Sequence, residues 1–354
     1  MSDRPEPSDP HPTDSGKRQA ALGAIGFVAT LVLLFGVLSF ANRDPGTGGH
    51  VAGGPSPSVA ASLAIASASI PPRPTPSAVN SSAAGSPAPA ADPVLVGAGD
   101  IANCSLDADR ATADLVADIP GTVFTAGDNA YDSGSTTEFR ECYGPTWGRF
   151  LARTRPVPGN HDHVTKDLAG YLGYFGTAAA PNGTSWYSYD LGTWHIVVLD
   201  SSCEEVGGCG PGSAQGTWLT ADLAASKANC TLAIWHHPRF SSGFHGNDVE
   251  VAPFWQALHA AGADVIVNGH DHDYERFAPQ DPAGDADAAR GLREFVVGTG
   301  GAEPRDFAEI RPNSVVRATG SYGVIRFELH PTGYAWMFTS TTGEFGDSGS
   351  GTCH

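Results

Sequence analysis

The sequence predicts an α/β domain, of the α+β kind, preceded by a single transmembrane helix and a disordered linker. Three observations support this prediction. Short apolar runs alternate with helical stretches from residue 93 onward, an uncharged apolar run fills residues 21–40, and residues 42–92 show neither a helical nor a strand period. Residues 93–354 are numerous enough for one large domain with a sizeable core.

The N-terminal run predicts how the chain is held at a membrane. Residues 21–40 carry no charge, and a helix of that length crosses the hydrocarbon core. Two basic residues precede the run and one follows closely, which favours residues 1–20 as a cytoplasmic tail and 21–41 as a signal anchor. The alternative is secretion after signal cleavage, because residues 39–41 resemble a cleavage site. In both cases we expect residues 93–354 outside the cell membrane.

The linker and the charge balance limit the partners of the protein. Residues 42–92 consist largely of Ala, Ser, Pro and Gly, and such a segment cannot bury enough surface to offset its ordering entropy. The chain holds 38 acidic and 20 basic residues, a formal net charge of −18. This balance argues against nucleic acid as a stable partner. If the protein handles phosphate, metal ions are the expected source of positive charge.

All six cysteines lie beyond residue 92, on the side of the apolar run that we place outside the membrane. An even number of cysteines in that compartment predicts disulfides, and free buried thiols are the alternative. Cys203 and Cys209, in a glycine-rich loop, are the expected local pair. The sequence leaves the other pairings open.

Five apolar runs of the domain end in side chains that bind metals. Each run is typical of a buried strand, and a helical stretch, residues 107–118 with Leu115 and Ile119 on one face, separates the first two. Ligands in such alternating folds lie beyond the carboxyl ends of the strands. The runs are PVLVGAGD (93–100), GTVFTAGDNAY (121–131), RPVPGNHDH (155–163), TLAIWHHP (231–238) and ADVIVNGHDHDYER (263–276).

The residue types at these strand ends predict a dinuclear metal centre. Carboxylates, an asparagine carbonyl oxygen and imidazoles form a mixed oxygen and nitrogen set that suits divalent or trivalent first-row metals. Two metals about 3.5–4 Å apart need a bridging group, and a carboxylate at a strand end is suited to that role. His270 and His272 are two residues apart, so on a regular strand they would face opposite sides. We therefore place them in the loop just past the strand.

In order and spacing, these motifs resemble those of the calcineurin-like metallophosphoesterase superfamily, GD…GDxxY…GNH[DE]…H…GHxH. The resemblance covers about residues 94–330, and GDNAY with Tyr131 and GHDHDYER are most similar to the purple acid phosphatase branch. It implies a sandwich of two mixed β-sheets flanked by helices, with the metals at one sheet edge.

The resemblance also implies roles for individual residues. For the first metal it implies the ligands Asp100, Asp128, Tyr131 and His272, and for the second the bridging Asp128 with Asn160, His236 and His270. His237 occupies a non-ligand position of the family, so we expect it beside the second metal.

Two further histidines match catalytic positions of the family. His161 would contact substrate phosphate. His245, nine residues after His236, would help to protonate the leaving group.

The predicted first site departs from the pattern of many superfamily members, because Ala102 replaces a histidine. Two carboxylates, one imidazole and one phenolate then form a hard, anionic set that favours a trivalent ion. We therefore predict two metal ions, Fe(III) in the first site with a divalent ion (Fe, Zn or Mn) in the second. If Tyr131 only packs beside the site, a pair of divalent ions is the alternative.

The expected activity is hydrolysis of a small phosphate ester at the outer face of the membrane. Metals bind phosphate oxygens and lower the pKa of a bound water, which then attacks phosphorus in line. Phosphomonoesters are the predicted substrates. The alternatives are a phosphodiesterase acting on nucleotides or phospholipid head groups, and a non-catalytic surface protein that binds phosphate or a partner.

Overall fold

The structure is a computed structural model that describes residues 91–354. In chain order its strands are β1 (Val94–Ala98), β2 (Ala102–Asn103), β3 (Thr122–Thr125), β4 (Ala130–Tyr131), β5 (Thr154–Arg155), β6 (Tyr187–Leu191), β7 (Trp194–Val198), β8 (Cys230–Ile234), β9 (Val265–Asn268), β10 (Tyr274–Phe277), β11 (Arg293–Val297), β12 (Ser314–Ala318), β13 (Gly323–His330), β14 (Gly333–Ser340) and β15 (Gly346–Thr352). The α-helices are α1 (Ala108–Ala117), α2 (Thr136–Glu138), α3 (Asn160–Val164), α4 (Ala169–Phe175), α5 (Ala214–Ala225) and α6 (Ala252–Ala260). A π-helical segment covers Phe139–Tyr143, and 3₁₀ segments cover Trp147–Arg153, Lys166–Leu168 and Gly176–Ala178.

The longer strands form two mixed sheets, as the family resemblance implied. One sheet has the order β15-β14-β13-β1-β3-β5, in which β1, β3 and β5 are parallel and β13 runs antiparallel to β1. The other has the order β12-β10-β11-β9-β8-β7-β6, with a parallel centre from β7 to β11. The short strands β2 and β4 pair separately.

Alternating side chains of the seven-stranded sheet belong to two different cores. Ile196 and Val198 face the core shared with the six-stranded sheet, whereas Val197 lies in a second core with Leu219 of α5 and Trp255 of α6. A central strand covered on both faces has no polar side, which explains why these segments are nearly continuous apolar runs.

The first predicted helix is present as α1, but its buried face differs from the expected one. Thr112, Ala113 and Val116 are buried, and Leu115 and Ile119 are only partly buried at the margin of the core. The buried stripe includes a polar residue because the Thr112 hydroxyl has a buried partner, the carbonyl of Gly300 in the loop after β11.

All six cysteines form disulfides: Cys104–Cys142, Cys203–Cys209 and Cys230–Cys353. The predicted local pair is confirmed, and the two long-range pairs are additional. Cys230 begins β8 and Cys353 follows β15, so this bond connects the two sheets.

The predicted anchor at 21–41 lies outside the described residues, as do the predicted cytoplasmic tail and residues 42–90 of the predicted linker. No helix within residues 91–354 combines the length and apolarity that crossing a bilayer requires.

Candidate metal centre

The carboxyl ends of parallel strands bring the predicted ligands together. Asp100 and Asp128 follow β1 and β3, and His236 follows β8. His270 and His272 lie in the loop between β9 and β10, where their spacing predicted them. Because β1 and β3 are parallel, as are β8 and β9, these side chains share one end of the sandwich.

The backbone at this end is strained at three of the predicted ligands. Asp100, Asp128 and His270 have φ values of 60°, 50° and 71°, in the left-handed region that non-glycine residues seldom adopt. Such strain is typical of functional sites, where surrounding structure holds it in place. Gly127 also has positive φ, and a Cβ there would collide with the His236 ring. The Gly-Asp pair therefore lets the strand end pass close to a histidine.

Three predicted ligands of the first site surround the hydroxyl of the fourth, Tyr131. The hydroxyl donates to Asp100 Oδ1 at 2.7 Å, and it also lies 3.0 Å from Asp128 Oδ2 and 3.2 Å from His272 Nε2. His272 Nε2 is in turn 3.3 Å from Asp100 Oδ1. Tyr131 therefore points into the site.

The predicted second site adjoins the first through Asp128. His236 Nε2 lies 3.3 Å from Asp128 Oδ2 and 3.1 Å from Asn160 Oδ1. The rings of His236 and His270 have centroids 5.0 Å apart. Asp128 is thus the carboxylate that both groups of side chains share.

Backbone carbonyls orient two of the histidines for metal binding. Nδ1 of His236 donates to the Ala126 carbonyl at 2.8 Å, and Nδ1 of His272 donates to the Glu303 carbonyl at 2.7 Å. A carbonyl only accepts, so Nδ1 carries a hydrogen, and Nε2, which faces the carboxylates, is the nitrogen available to a metal. This is the arrangement that metal-binding histidines require.

The charges at the site fit a bound cation. Burial raises the pKa of Asp128, but the nearby His236 outweighs that effect and holds the pKa below its usual range. Burial would lower the pKa of His236, yet Asp128 raises it to about 9. Burial raises the pKa of Tyr131 well above its usual value, and Asp100 and Asp128 add to the shift. A cation between these groups would compensate the buried carboxylates and favour ionisation of the phenol, so the donor set fits two metal ions.

The two predicted catalytic histidines lie on different sides of the centre. The backbone N–H of His161 donates to Asp128 Oδ1 at 2.8 Å, and its Nε2 lies 4.0 Å from Asp128 Oδ2. The ring of His245 packs against that of His270, with centroids 4.2 Å apart. Arg305 Nη1 donates to His245 Nε2 at 2.6 Å.

His237, which we expected only beside the second metal, lies next to two of the predicted ligands of that metal, His236 and His270. One donor atom of His237 falls within 4.8 Å of those of His236 and His270. Ser201 holds the ring, because Ser201 Oγ lies 2.8 Å from His237 Nδ1 and accepts from the His237 backbone N–H at 3.0 Å.

The sequence did not reveal Ser201, Asp271 or Arg305, which position His237 and His245. Ser201 Oγ contacts the His237 ring, Asp271 accepts from the His245 backbone, and Arg305 donates to its ring. Of the three, only Asp271 lies inside a motif visible in the sequence, GHDH. Ser201 and Arg305 lie 36 and 60 residues along the chain from the histidines that they contact, in loops without such a motif.

Comparison with known proteins agrees with this geometry. The family model of the calcineurin-like phosphoesterases matches residues 91–274, more than half of the chain. Purple acid phosphatase 15 of Arabidopsis thaliana is 31% identical over 180 residues, which cover 43% of this chain and 32% of the relative. Acid phosphatase A of Cryphonectria parasitica is 27% identical over 198 residues, covering 48% and 39%. The chain thus spans 32% and 39% of the length of these two relatives.

Two solved structures share the fold at low identity. Purple acid phosphatase PPD1 from yellow lupin (Lupinus luteus) seeds has a TM-score of 0.57 at 19% identity, covering 73% of this chain and 53% of that one. GAP50, the anchor in the inner membrane complex of Plasmodium, has a TM-score of 0.57 at 14% identity, covering 75% and 90%.

Proposed function

We propose a function from one premise: this chain belongs to the calcineurin-like phosphoesterase family, whose model matches residues 91–274. The protein is a metal-dependent phosphatase that hydrolyses small phosphomonoesters. The convergence of Asp100, Tyr131 and His272 on one side of Asp128, and of Asn160 and His236 on the other, carries this proposal.

The proposed ligand sets follow this geometry. Asp100, Asp128, Tyr131 and His272 would hold the first metal, and Asp128, Asn160, His236 and His270 would hold the second. When bound, the two ions would supply the positive charge that attracts phosphate oxygens and activates water for attack on phosphorus. The phenol and two carboxylates of the first site form a hard, anionic set, which supports Fe(III) there and a divalent ion (Fe, Zn or Mn) in the second.

Two histidines, His161 and His245, act on the substrate. His161 donates Nδ1–H to the Asp132 carbonyl at 2.7 Å, so its Nε2 is the atom that faces the centre. From that side it contacts phosphate oxygens and orients the ester. His245 protonates the departing oxygen, provided that the hydrogen bond from Arg305 to its Nε2 opens first.

The proposed location is the outer face of the cell membrane. Three disulfides support an oxidising compartment. The uncharged run at residues 21–40 supports tethering by a signal anchor, and secretion after cleavage is the alternative.

Hydrolysis of p-nitrophenyl phosphate and its bis-ester by the metal-loaded full chain, with and without chelator, tests the activity. We expect faster turnover of the monoester, lost on chelation and restored by metal. Faster turnover of the bis-ester would identify a phosphodiesterase. No turnover of either ester by protein that has bound two metals would leave a non-catalytic binding protein.

A further inference from the structure

We propose that a cavity beside the metal centre receives the alcohol portion of the substrate and selects cationic alcohols, alkylammonium alcohols above all, over neutral and anionic ones. This inference rests on the proposed phosphoester hydrolysis and names its substrate class. We call the space the acidic cavity; it has a volume of about 310 Å³, and its lining includes Asn160, His237, Glu204, Glu205, Asp248 and Glu250.

The acidic cavity is continuous with the metal centre. Asn160 lines the cavity and also lies 3.1 Å from His236 Nε2 through its Oδ1. His237 lines it as well, and its ring packs against those of His236 and His270. An ester whose phosphate is held at the metal centre therefore has its alcohol portion within reach of this space. The volume lies at the lower end of the usual range for small-molecule sites, which suits a small alcohol.

The walls of the cavity carry an excess of negative charge. Four carboxylates line it, and no lysine or arginine occurs among its lining residues in the described part of the chain. His163 is paired with a buried carboxylate, since its Nε2 lies 3.0 Å from Asp200 Oδ2, so it adds no free positive charge. A cationic alcohol is attracted into such a space, whereas polyphosphates and other polyanions are repelled.

Local structure holds the loops that carry the four carboxylates. The disulfide Cys203–Cys209 closes the loop that carries Glu204 and Glu205. The Ser202 backbone N–H donates to Asp200 Oδ1 at 3.1 Å, which anchors the start of that loop. Across the cavity, the Asp248 backbone N–H donates to the Pro238 carbonyl at 3.0 Å, and Asp248 Oδ1 accepts from the Glu250 N–H at 2.8 Å. Because these loops are already held, their backbone loses little freedom when a cation binds.

An apolar side chain makes an alkylammonium a better fit than a bare cation. Val164, which is 64% exposed, lines the same cavity as the carboxylates. A substituted ammonium has methyl or methylene groups that cover such a side chain while its charge remains near the carboxylates. A hydrated metal ion offers no surface of that kind.

Binding of two isosteric phosphonates tests the inference without requiring turnover. The probes are 2-(trimethylammonio)ethylphosphonate and its isostere 3,3-dimethylbutylphosphonate, in which a neutral tert-butyl group replaces the cationic trimethylammonio group. Each is titrated calorimetrically into the metal-loaded full chain. We expect the cationic probe to bind about tenfold more tightly at low salt, and the ratio to fall in 0.5 M NaCl because the carboxylates are largely exposed.

Charge-neutralising variants locate the effect. The quadruple variant Glu204→Gln, Glu205→Gln, Asp248→Asn, Glu250→Gln should reduce the affinity ratio to within about twofold. The control variant Asp118→Asn, Glu344→Gln removes acids that do not line the cavity and should leave the ratio unchanged. Hydrolysis of phosphocholine relative to 3,3-dimethylbutyl phosphate should change in parallel.

The outcomes separate this inference from the proposed function. Equal affinities for the two phosphonates, an unchanged ratio in the quadruple variant, or an equal fall in the control variant would overturn the role of the cavity. If the protein still hydrolyses p-nitrophenyl phosphate, those results leave the proposed phosphatase function standing. Selective binding of the cationic probe without hydrolysis of any ester would instead support the cavity and overturn the proposed function.

Discussion

The metal centre and the acidic cavity share Asn160 and His237 but are built in different ways. The centre consists of buried side chains at the ends of central strands, oriented by backbone carbonyls and by strained φ values. The outer wall of the cavity consists largely of exposed carboxylates on loops, held by a disulfide and backbone hydrogen bonds. We infer that changes in the centre affect metal binding and the chemical step, whereas changes in the cavity affect the choice of substrate.

The largest expected effect is at Asp128, the carboxylate that both proposed metal sites share. Asp128→Asn removes a carboxylate that lies beside Tyr131 and His236 together, so it weakens the binding of both metals. We expect kcat/KM for p-nitrophenyl phosphate to fall at least about 10³-fold. Metal content per chain, measured by mass spectrometry, should fall below one.

The matched control is Lys166→Ala, whose side chain is 91% exposed and pairs only loosely with Asp167, at 3.9 Å. It should retain the activity and both metals. An Asp128→Asn protein that keeps two metals and most of its activity would contradict the bridging role. It would also contradict the inference that changes in the centre affect metal binding and the chemical step.

Disulfides provide a second comparison between the regions. Cys230–Cys353 closes a span of 123 residues and connects the sheets, whereas Cys203–Cys209 closes only six beside the cavity. In the loop-entropy model the first contributes about 5 kcal/mol to the free energy of unfolding and the second about 2 kcal/mol. Replacing each pair by serine and measuring denaturant unfolding checks the difference.

The shorter disulfide has a further expected consequence. The Cys203→Ser, Cys209→Ser variant should raise KM for a cationic ester while the metal content stays at two. Loss of metal in this variant would show that the cavity loop supports the centre, and the two regions would then not be separable.

The contrast explains how much the sequence could predict. Ligands at strand ends are recognisable because an apolar run followed by Asp, Asn or His is a local pattern, and parallel strands bring such patterns together. The Cys203–Cys209 bond could be predicted because the two cysteines lie close together in one glycine-rich loop, and the paired sheets were implied by the resemblance to a known family. The acidic cavity could not, because Glu204 and Glu250 are ordinary exposed acids until the chain brings their loops together. Cys104–Cys142 and Cys230–Cys353 likewise depend on tertiary structure alone.

Tyr131 tests whether the first site is as anionic as proposed. Tyr131→Phe removes the hydroxyl that lies between Asp100 and Asp128, so we expect metal affinity at that site to fall about 10–100-fold. An Fe(III)–phenolate pair absorbs visible light, so the oxidised wild type should be coloured and the variant colourless. A variant that stays coloured, or a colourless wild type that contains iron, would favour a pair of divalent ions. The preference for the phosphonate with a cationic trimethylammonio group over the one with a neutral tert-butyl group should not change.

The smallest expected effect is at His245, on the rim of the centre. His245→Ala should slow hydrolysis of alkyl phosphates about tenfold and that of p-nitrophenyl phosphate less than twofold, because only a poor leaving group needs a proton.

Burial lowers the pKa of His245, Asp271 opposes this shift, and the charge of Arg305 lowers the pKa further. A lowered pKa means that the protonated donor is lost at lower pH, so alkyl phosphate turnover should decline as pH rises through a value below 6.5. Arg305→Met frees His245 Nε2 and should move that decline to higher pH without changing metal content. Equal losses across a leaving-group series, or a pH profile that Arg305→Met leaves in place, would exclude His245 as the acid and leave His161 as the candidate.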